Sequence, residues 1–179
     1  MERVINIQRV AGKVVFDPVE AGNNESVFWR NNDTEAAHWP AMLYQEVPAF
    51  QGVPSPPTSP EYPVQYAKIV YGCQIPGHSQ EQGTITIYPA LAITTGNSTI
   101  PVNTPYTGTL AASGGKSADA TGKSLYTWAI IGSDLPAGLT LAGNAITGTP
   151  TAAGATTFTA QVTDGLGNQK IKAITITVQ

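Results

Sequence analysis

The chain of 179 residues has little charge and almost no cysteine or histidine. Asp, Glu, Lys and Arg together make up 12% of the residues, and the formal net charge is −3. A nucleic-acid-binding domain would carry a clustered basic face, so that class of protein is excluded. The single cysteine, Cys73, excludes an intramolecular disulfide. No apolar run is long enough for a membrane span, and none near Met1 resembles the core of a signal peptide.

Short strands joined by tight turns are the pattern that is present, and no segment has helical periodicity. The chain has 18 glycines and 14 prolines, which favour turns. Alternating apolar residues predict strands over residues 4–10, 13–16, 26–30, 66–71, 84–88, 91–95, 106–110, 125–131, 156–163 and 171–178. We therefore expect an all-β protein with two domains, residues 1–89 and 90–179.

Six prolines between residues 43 and 64 forbid regular strand pairing there and predict a long surface excursion. Such a segment is either a plain connection or a flap that covers a site or binds a partner.

The cysteine and both histidines fall in one pattern. Cys73 follows a predicted strand, His78 lies five residues later across Gln-Ile-Pro-Gly, and His38 comes from the end of another strand. One thiolate and two imidazoles are the strong ligands of a mononuclear copper electron-transfer site, where they suit both Cu(II) and Cu(I). The alternative is a buried cysteine that behaves as a small apolar residue, with two unrelated histidines.

Several stretches of the first half resemble the cupredoxins, the blue copper proteins. They are Val14-Val-Phe16-Asp-Pro18, Val27-Phe-Trp29-Arg-Asn31-Asn-Asp33 with the following His38, and Tyr71-Gly-Cys73-Gln-Ile-Pro-Gly-His78. The resemblance implies a Greek-key β-sandwich that holds one type 1 copper per chain near one end. His38, Cys73 and His78 would be its strong ligands.

The sequence departs from this family at two positions. Many members have an axial methionine a few residues after the second histidine, and here that position is Gln82, as in the stellacyanins. The resemblance therefore implies Gln82 as the axial ligand, whereas the charge of the neighbouring Glu81 would bind Cu(II) too firmly. Some members carry an asparagine after the first histidine, where this chain has Trp39.

The second half contains neither cysteine nor histidine and resembles the immunoglobulin-like modules of bacterial surface and secreted proteins. The resemblance depends on Leu135-Pro-Ala-Gly138-Leu-Thr140 and Gly148-Thr-Pro150. It implies a second β-sandwich that acts as a spacer, an anchor or a docking surface. Asp164 and Asn168 offer too few oxygen donors for calcium, so we predict a turn there.

Together these features predict an electron-transfer protein rather than an enzyme, because no histidine is left for a second copper site. The alternatives are copper storage or delivery, and adhesion by a protein with a vestigial metal site. We expect a protein redox partner that binds near His78 at an apolar rim of Ile75, Pro76, Trp39 and Pro40. The two resemblances imply an extracytoplasmic location with cell-surface association through the second domain.

Overall fold

The structure is a computed structural model, and it describes residues 2–22, 25–38, 40–42, 62–63 and 68–179. The chain divides into two compact units, Met1–Pro89 (unit 1) and Ala90–Gln179 (unit 2). The described residues are strands, turns and irregular segments without any helix. The predicted all-β class is therefore confirmed.

Unit 1 contains eight described strands that form two four-stranded sheets. The strands are β1 (Glu2–Val10), β2 (Lys13–Phe16), β3 (Val19–Gly22), β4 (Ser26–Asn31), β5 (Pro40–Met42), β6 (Tyr62–Pro63), β7 (Lys68–Cys73) and β8 (Gln82–Tyr88). One sheet has the order β2-β1-β4-β6 and the other β3-β8-β7-β5. The pairs β1–β4 and β3–β8 are parallel, and the other pairs are antiparallel.

Both sheets contribute alternate residues to one apolar core. Ile5 and Ile7 of β1 and Val27 and Trp29 of β4 are buried, while the residues between them are only half-buried. This alternation is what a sheet with one face in the core requires. Tyr71 of β7 packs edge-on against both Trp29 and Phe16, with 5.3 Å between ring centroids in each pair. Cys73 belongs to the same buried cluster, so the core of unit 1 extends to the cysteine.

Unit 2 contains nine described strands. They are β9 (Ala92–Ile93), β10 (Ser98–Ile100), β11 (Tyr106–Thr109), β12 (Ala112–Ser113), β13 (Thr127–Ile131), β14 (Leu139–Ala142), β15 (Ala145–Gly148), β16 (Gly154–Thr163) and β17 (Gln169–Val178). They form sheets of order β10-β17-β16-β13, β11-β15-β14 and β12-β9. Their buried apolar residues make a second core, in which Phe158, Ile174 and Ile176 are among the largest side chains.

Two glycines explain the turn motifs of unit 2. The N–H of Thr149 donates to the carbonyl of Gly138, and the N–H of Thr151 donates to that of Ala137, so two backbone segments lie in direct contact. A Cβ on Gly138 would overlap the Thr149 carbonyl, and a Cβ on Gly148 would overlap the Gly138 carbonyl. Both glycines also have positive φ. Only glycine therefore fits this contact without strain.

The predicted turn at Asp164 is confirmed. Its carboxylate accepts hydrogen bonds from the backbone N–H groups of Leu166, Asn168 and Lys116, at 2.9, 2.8 and 3.0 Å. The bonds from Leu166 and Asn168 are the local bonds by which a buried aspartate fixes a turn, and the bond from Lys116 ties this turn to a segment distant in the chain.

Several short strands were not predicted. In unit 1, β3 lies between the strands predicted over residues 13–16 and 26–30, and β5 begins two residues after His38. The proposed excursion over residues 43–64 lies outside the described residues except for Tyr62–Pro63. These two residues form β6 and pair with β4, so the expectation that prolines exclude all pairing there is wrong at this point. β6 is an edge strand, where a proline is tolerated.

Candidate metal centre

A tight loop between β7 and β8 presents Cys73 and His78 to each other. Cys73 is the last residue of β7, and its N–H donates to the carbonyl of Glu81 at 2.9 Å. Within the loop that this hydrogen bond closes, the N–H of His78 donates to the Ile75 carbonyl, and the N–H of Glu81 donates to the His78 carbonyl, each at 3.0 Å. Gly77, with φ of 91°, allows the chain to reverse before His78. The Pro-Gly pair therefore does bring the two side chains together.

A second loop, after β4, brings His38 to the same place. The Asn31 side chain donates to the Ala36 carbonyl at 2.9 Å and accepts from the N–H of Asp33 at 2.9 Å, which fixes the loop. The chain then enters β5, where Pro40 lies opposite Cys73 in the antiparallel register. The imidazole of His38 is completely buried. Two hydrogen-bonded loops at one end of the sandwich thus hold the three predicted strong ligands.

Four donor side chains converge at this end of unit 1: His38, Cys73, His78 and Glu81 (the donor cluster). One ligand atom of each lies within 4.8 Å of the others. Cys73 Sγ is 4.0 Å from His38 Nδ1 and 3.7 Å from His78 Nδ1. Glu81 Oε2 is 3.0 Å from His38 Nδ1 and 2.9 Å from His78 Nδ1. The Nδ1 atoms of both rings therefore face the sulfur and the carboxylate oxygen.

The other nitrogen of His38 is held by Asp33. His38 Nε2 lies 2.8 Å from Asp33 Oδ2, and the side chains of both residues are almost completely buried. Arg9 binds the same carboxylate with two N–H groups, at 2.7 and 3.2 Å. Burial alone would raise the pKa of Asp33, but hydrogen bonds from Arg9, His38 and the backbone of Glu35 lower it to about 2. Asp33 is therefore a buried carboxylate that can accept a hydrogen bond from Nε2–H, which leaves Nδ1 directed at the donor cluster.

Of the predicted ligands, the structure brings His38, Cys73 and His78 together and directs Gln82 elsewhere. The Gln82 side chain is exposed, and its amide group donates to the Ser79 carbonyl at 3.4 Å. Glu81, the neighbour considered less suitable, is the residue whose side chain enters the cluster. Consecutive residues of an extended segment point to opposite sides, so Glu81 and Gln82 do not both face the cluster.

The donor cluster suits one transition-metal ion. Two donors bound to one divalent ion at about 2.0–2.3 Å are about 2.8–4.0 Å apart for angles of about 90–130°. The N···O and S···N separations of 2.9–4.0 Å fall within that range. A neutral His38 that donates its single N–H from Nε2 to Asp33 keeps a free lone pair on Nδ1, which is the form of imidazole that binds a metal ion.

The predicted docking rim is only partly described. Pro76 is exposed, Ile75 is half-buried and packs against the core of unit 1, and Pro40 is buried. Trp39, one of the two positions at which this chain departs from the cupredoxin pattern, lies outside the described residues. The His78 side chain is 24% exposed, so its ring edge is the part of the cluster nearest to solvent.

Comparison with protein families decides the identity of unit 2. A family model described as "Putative Ig domain" matches residues 84–179, which is more than half of the chain. The chain belongs to this family. The match begins within β8 and covers all of unit 2, as the immunoglobulin-like resemblance implied. Ig-like domains of this kind are typical of extracellular proteins and suit a spacer or a protein-interaction module.

The likenesses to solved structures are distant. A "putative alpha-galactosidase" from Bacteroides fragilis is 21% identical with a TM-score of 0.40, over 50% of this chain and 17% of that one. A mutant of amicyanin, with Cu(I), is 14% identical with a TM-score of 0.36, over 47% of this chain and 81% of that one. The insect immune protein hemolin is 11% identical with a TM-score of 0.41, over 92% of this chain and 46% of that one. Likenesses this distant establish neither a shared function nor a copper site.

No curated protein matches the chain. Within the described ranges, no helix has the length and apolar character that crossing a membrane requires.

Sequence reasoning missed Asp33 and the position of Glu81. Asp33 stands five residues before His38, a spacing that could have suggested a carboxylate partner for the imidazole. For Glu81 the spacing gave no such signal, because a loop residue three or four positions after His78 can face either side. The backbone bond from Cys73 to Glu81 decides the orientation.

Proposed function

We propose that unit 1 is a copper-binding electron-transfer domain in which His38, Cys73 and His78 hold one copper ion. The observation that supports this most strongly is the convergence of Cys73 Sγ with both Nδ1 atoms, at 4.0 and 3.7 Å. The sequence resemblance to the cupredoxins supports the same ligands. Copper, when bound, would supply a one-electron couple between Cu(II) and Cu(I).

The protein holds these ligands in place by features that do not depend on metal. His38 is buried and bonded to Asp33, Cys73 is at the end of a core strand, and the loop between β7 and β8 is closed by backbone hydrogen bonds. A preorganised set of ligands changes little between the two oxidation states, and electron transfer is fast when little rearranges. The partly exposed ring of His78 offers the electron a short route to the surface.

Unit 2 would act as a spacer, an anchor or a docking module for the copper domain, and it would add no chemistry. We therefore propose a non-enzymatic extracytoplasmic protein that exchanges electrons with a protein partner. Weak, transient contacts suit such an exchange.

The test compares two rates on the copper-loaded full chain. Electron self-exchange is measured from NMR line broadening in mixtures of oxidised and reduced protein, and metal release is measured by transfer of copper to a chelator. The proposal predicts rapid self-exchange and slow release. Slow self-exchange with ready transfer of copper would instead identify a storage or delivery protein. Selective binding of zinc with no copper-thiolate absorption would refute the redox function and leave a structural metal site.

A further inference from the structure

We propose that Glu81 supplies the fourth ligand of the metal and that Gln82 lies outside the coordination sphere. This inference rests on the proposed function, because it concerns the same centre. A carboxylate in place of the neutral amide of Gln82 would change the charge of the site and the oxidation state that the site favours.

The position of Glu81 is fixed by the backbone on both sides. Its N–H donates to the His78 carbonyl and its carbonyl accepts from the Cys73 N–H, so the residue is tied to two proposed ligands. Its side chain is only 16% exposed, and Oε2 lies about equally far from the two Nδ1 atoms, at 3.0 and 2.9 Å. One carboxylate oxygen thus lies beside both imidazole nitrogens proposed to bind metal.

The side chain of Gln82, unlike that of Glu81, does not lie in the donor cluster. Its backbone pairs with Gly72 in the register of β7 and β8, and its side chain is exposed. The bond from its amide nitrogen to the Ser79 carbonyl is long, at 3.4 Å. For Gln82 to bind the metal, its side chain would have to exchange faces with that of Glu81, which the paired strand opposes.

A carboxylate ligand alters the balance between the oxidation states. Together with the thiolate of Cys73 it gives two negative ligand charges, which neutralise a divalent ion but leave a monovalent ion with excess negative charge. Carboxylate oxygen is also a harder donor than amide or thioether and favours Cu(II) over soft Cu(I). Glu81 therefore lowers the reduction potential. The protein would accept electrons only from a strongly reducing partner and pass them on readily.

The experiment measures Cu(II) and Cu(I) affinity, reduction potential and the Cu(II) EPR spectrum for the wild type, Glu81→Gln, Glu81→Ala and Gln82→Ala. Glu81→Gln removes the charge and keeps the size, and Gln82→Ala is the matched control next to it. We expect both Glu81 variants to lower the ratio of Cu(II) to Cu(I) affinity at least tenfold. Each factor of ten corresponds to a rise of about 59 mV for a one-electron couple. The copper hyperfine splitting should change in the same variants, whereas Gln82→Ala should match the wild type.

The outcomes separate this inference from the proposed function. If Glu81 only positions His78, both affinities fall together and their ratio and the hyperfine splitting stay unchanged, which overturns the inference. A shift in Gln82→Ala without one in Glu81→Gln also overturns it and assigns the fourth ligand to Gln82. In either case an intact copper-thiolate absorption band leaves the proposed function standing. A wild-type protein without that band refutes both.

Discussion

Asp33 is the residue outside the donor cluster whose change should affect the metal most. In Asp33→Asn the side chain keeps its size and one oxygen acceptor, but it loses the negative charge of the carboxylate that Arg9 and His38 both bind. The amide can also present an N–H to Nε2, which would favour the tautomer with the proton on Nδ1, where the metal should bind. Loss of such a partner typically costs about 10–100-fold in metal affinity. We expect copper to bind to Asp33→Asn more weakly by that factor.

The stability of the metal-free protein should change in the same variant. The pKa of Asp33 falls from 3.8 to about 2 on folding, which corresponds to about 2 kcal/mol because each pKa unit is worth about 1.36 kcal/mol. Since the folded pKa is the lower one, this stabilisation is present above pH 3.8 and is lost as the pH falls toward 2. Asp33→Asn should therefore unfold more easily at neutral pH, with a weaker dependence on pH below 4.

Copper affinity is measured by competition with a chelator, and unfolding by urea titration followed by NMR, so that the two units report separately. Glu35→Gln is the matched control, because Glu35 also pairs with Arg9, at 3.0 Å, but its side chain is 69% exposed. An exposed ion pair contributes about 0–1 kcal/mol, so this variant should resemble the wild type. Equal effects in both variants, or unchanged copper affinity in Asp33→Asn, would refute the assigned role of Asp33.

Three further predictions concern stability. Gly138→Ala should destabilise unit 2 by about 2 kcal/mol or more, because Gly138 has a positive φ and a Cβ there would overlap the Thr149 carbonyl. Gly96→Ala is the control, because a Cβ at Gly96 meets nothing within 4 Å, and urea titration should show no such loss of stability in it. Burial raises the pKa of Tyr71 above its ordinary value of 10.0, so the tyrosine ionises more readily in the unfolded chain than in the folded one. Unit 1 should therefore lose stability as the pH rises above 10, and the Tyr71→Phe variant should lose less stability over the same pH range. Equal losses in the two proteins would contradict this. Cu(II) at 100 times its dissociation constant should stabilise unit 1 against unfolding by about 2.7 kcal/mol, which thermal unfolding measures. A midpoint of thermal unfolding that does not change with copper would contradict a metal site in the native protein.

The sequence predicted the long strands and the convergence of His38, Cys73 and His78, because each has a local signal. Residues such as Ile5, Ile7, Val27 and Trp29 alternate along their strands, and a single cysteine in a chain with two histidines narrows the choice of ligands. The short strands β3, β5 and β6 were missed because each contains or adjoins a proline, which indicates a turn, and alternation over two to four residues is too weak to outweigh that signal. Their pairing is set by partners distant in the chain.

The fourth member of the donor cluster shows the limit of prediction from a family pattern. The resemblance implied Gln82 as the axial ligand, four residues after His78, whereas the side chain that lies in the cluster is that of Glu81. The direction of a side chain depends on how the loop closes, and the bond from Cys73 N–H to the Glu81 carbonyl turns Glu81 toward the two imidazoles. Register, rather than residue type, determines which neighbour faces the cluster.

The most direct test of a copper site in unit 1 is a Cu(II) titration of the full chain, followed by visible absorption and EPR, beside Cys73→Ser. We predict binding of one copper per chain with an intense thiolate-to-copper absorption band, and loss of that band in Cys73→Ser. A wild-type protein that stays colourless at saturating copper, or a band that persists in Cys73→Ser, would contradict a copper site built on Cys73, His38 and His78.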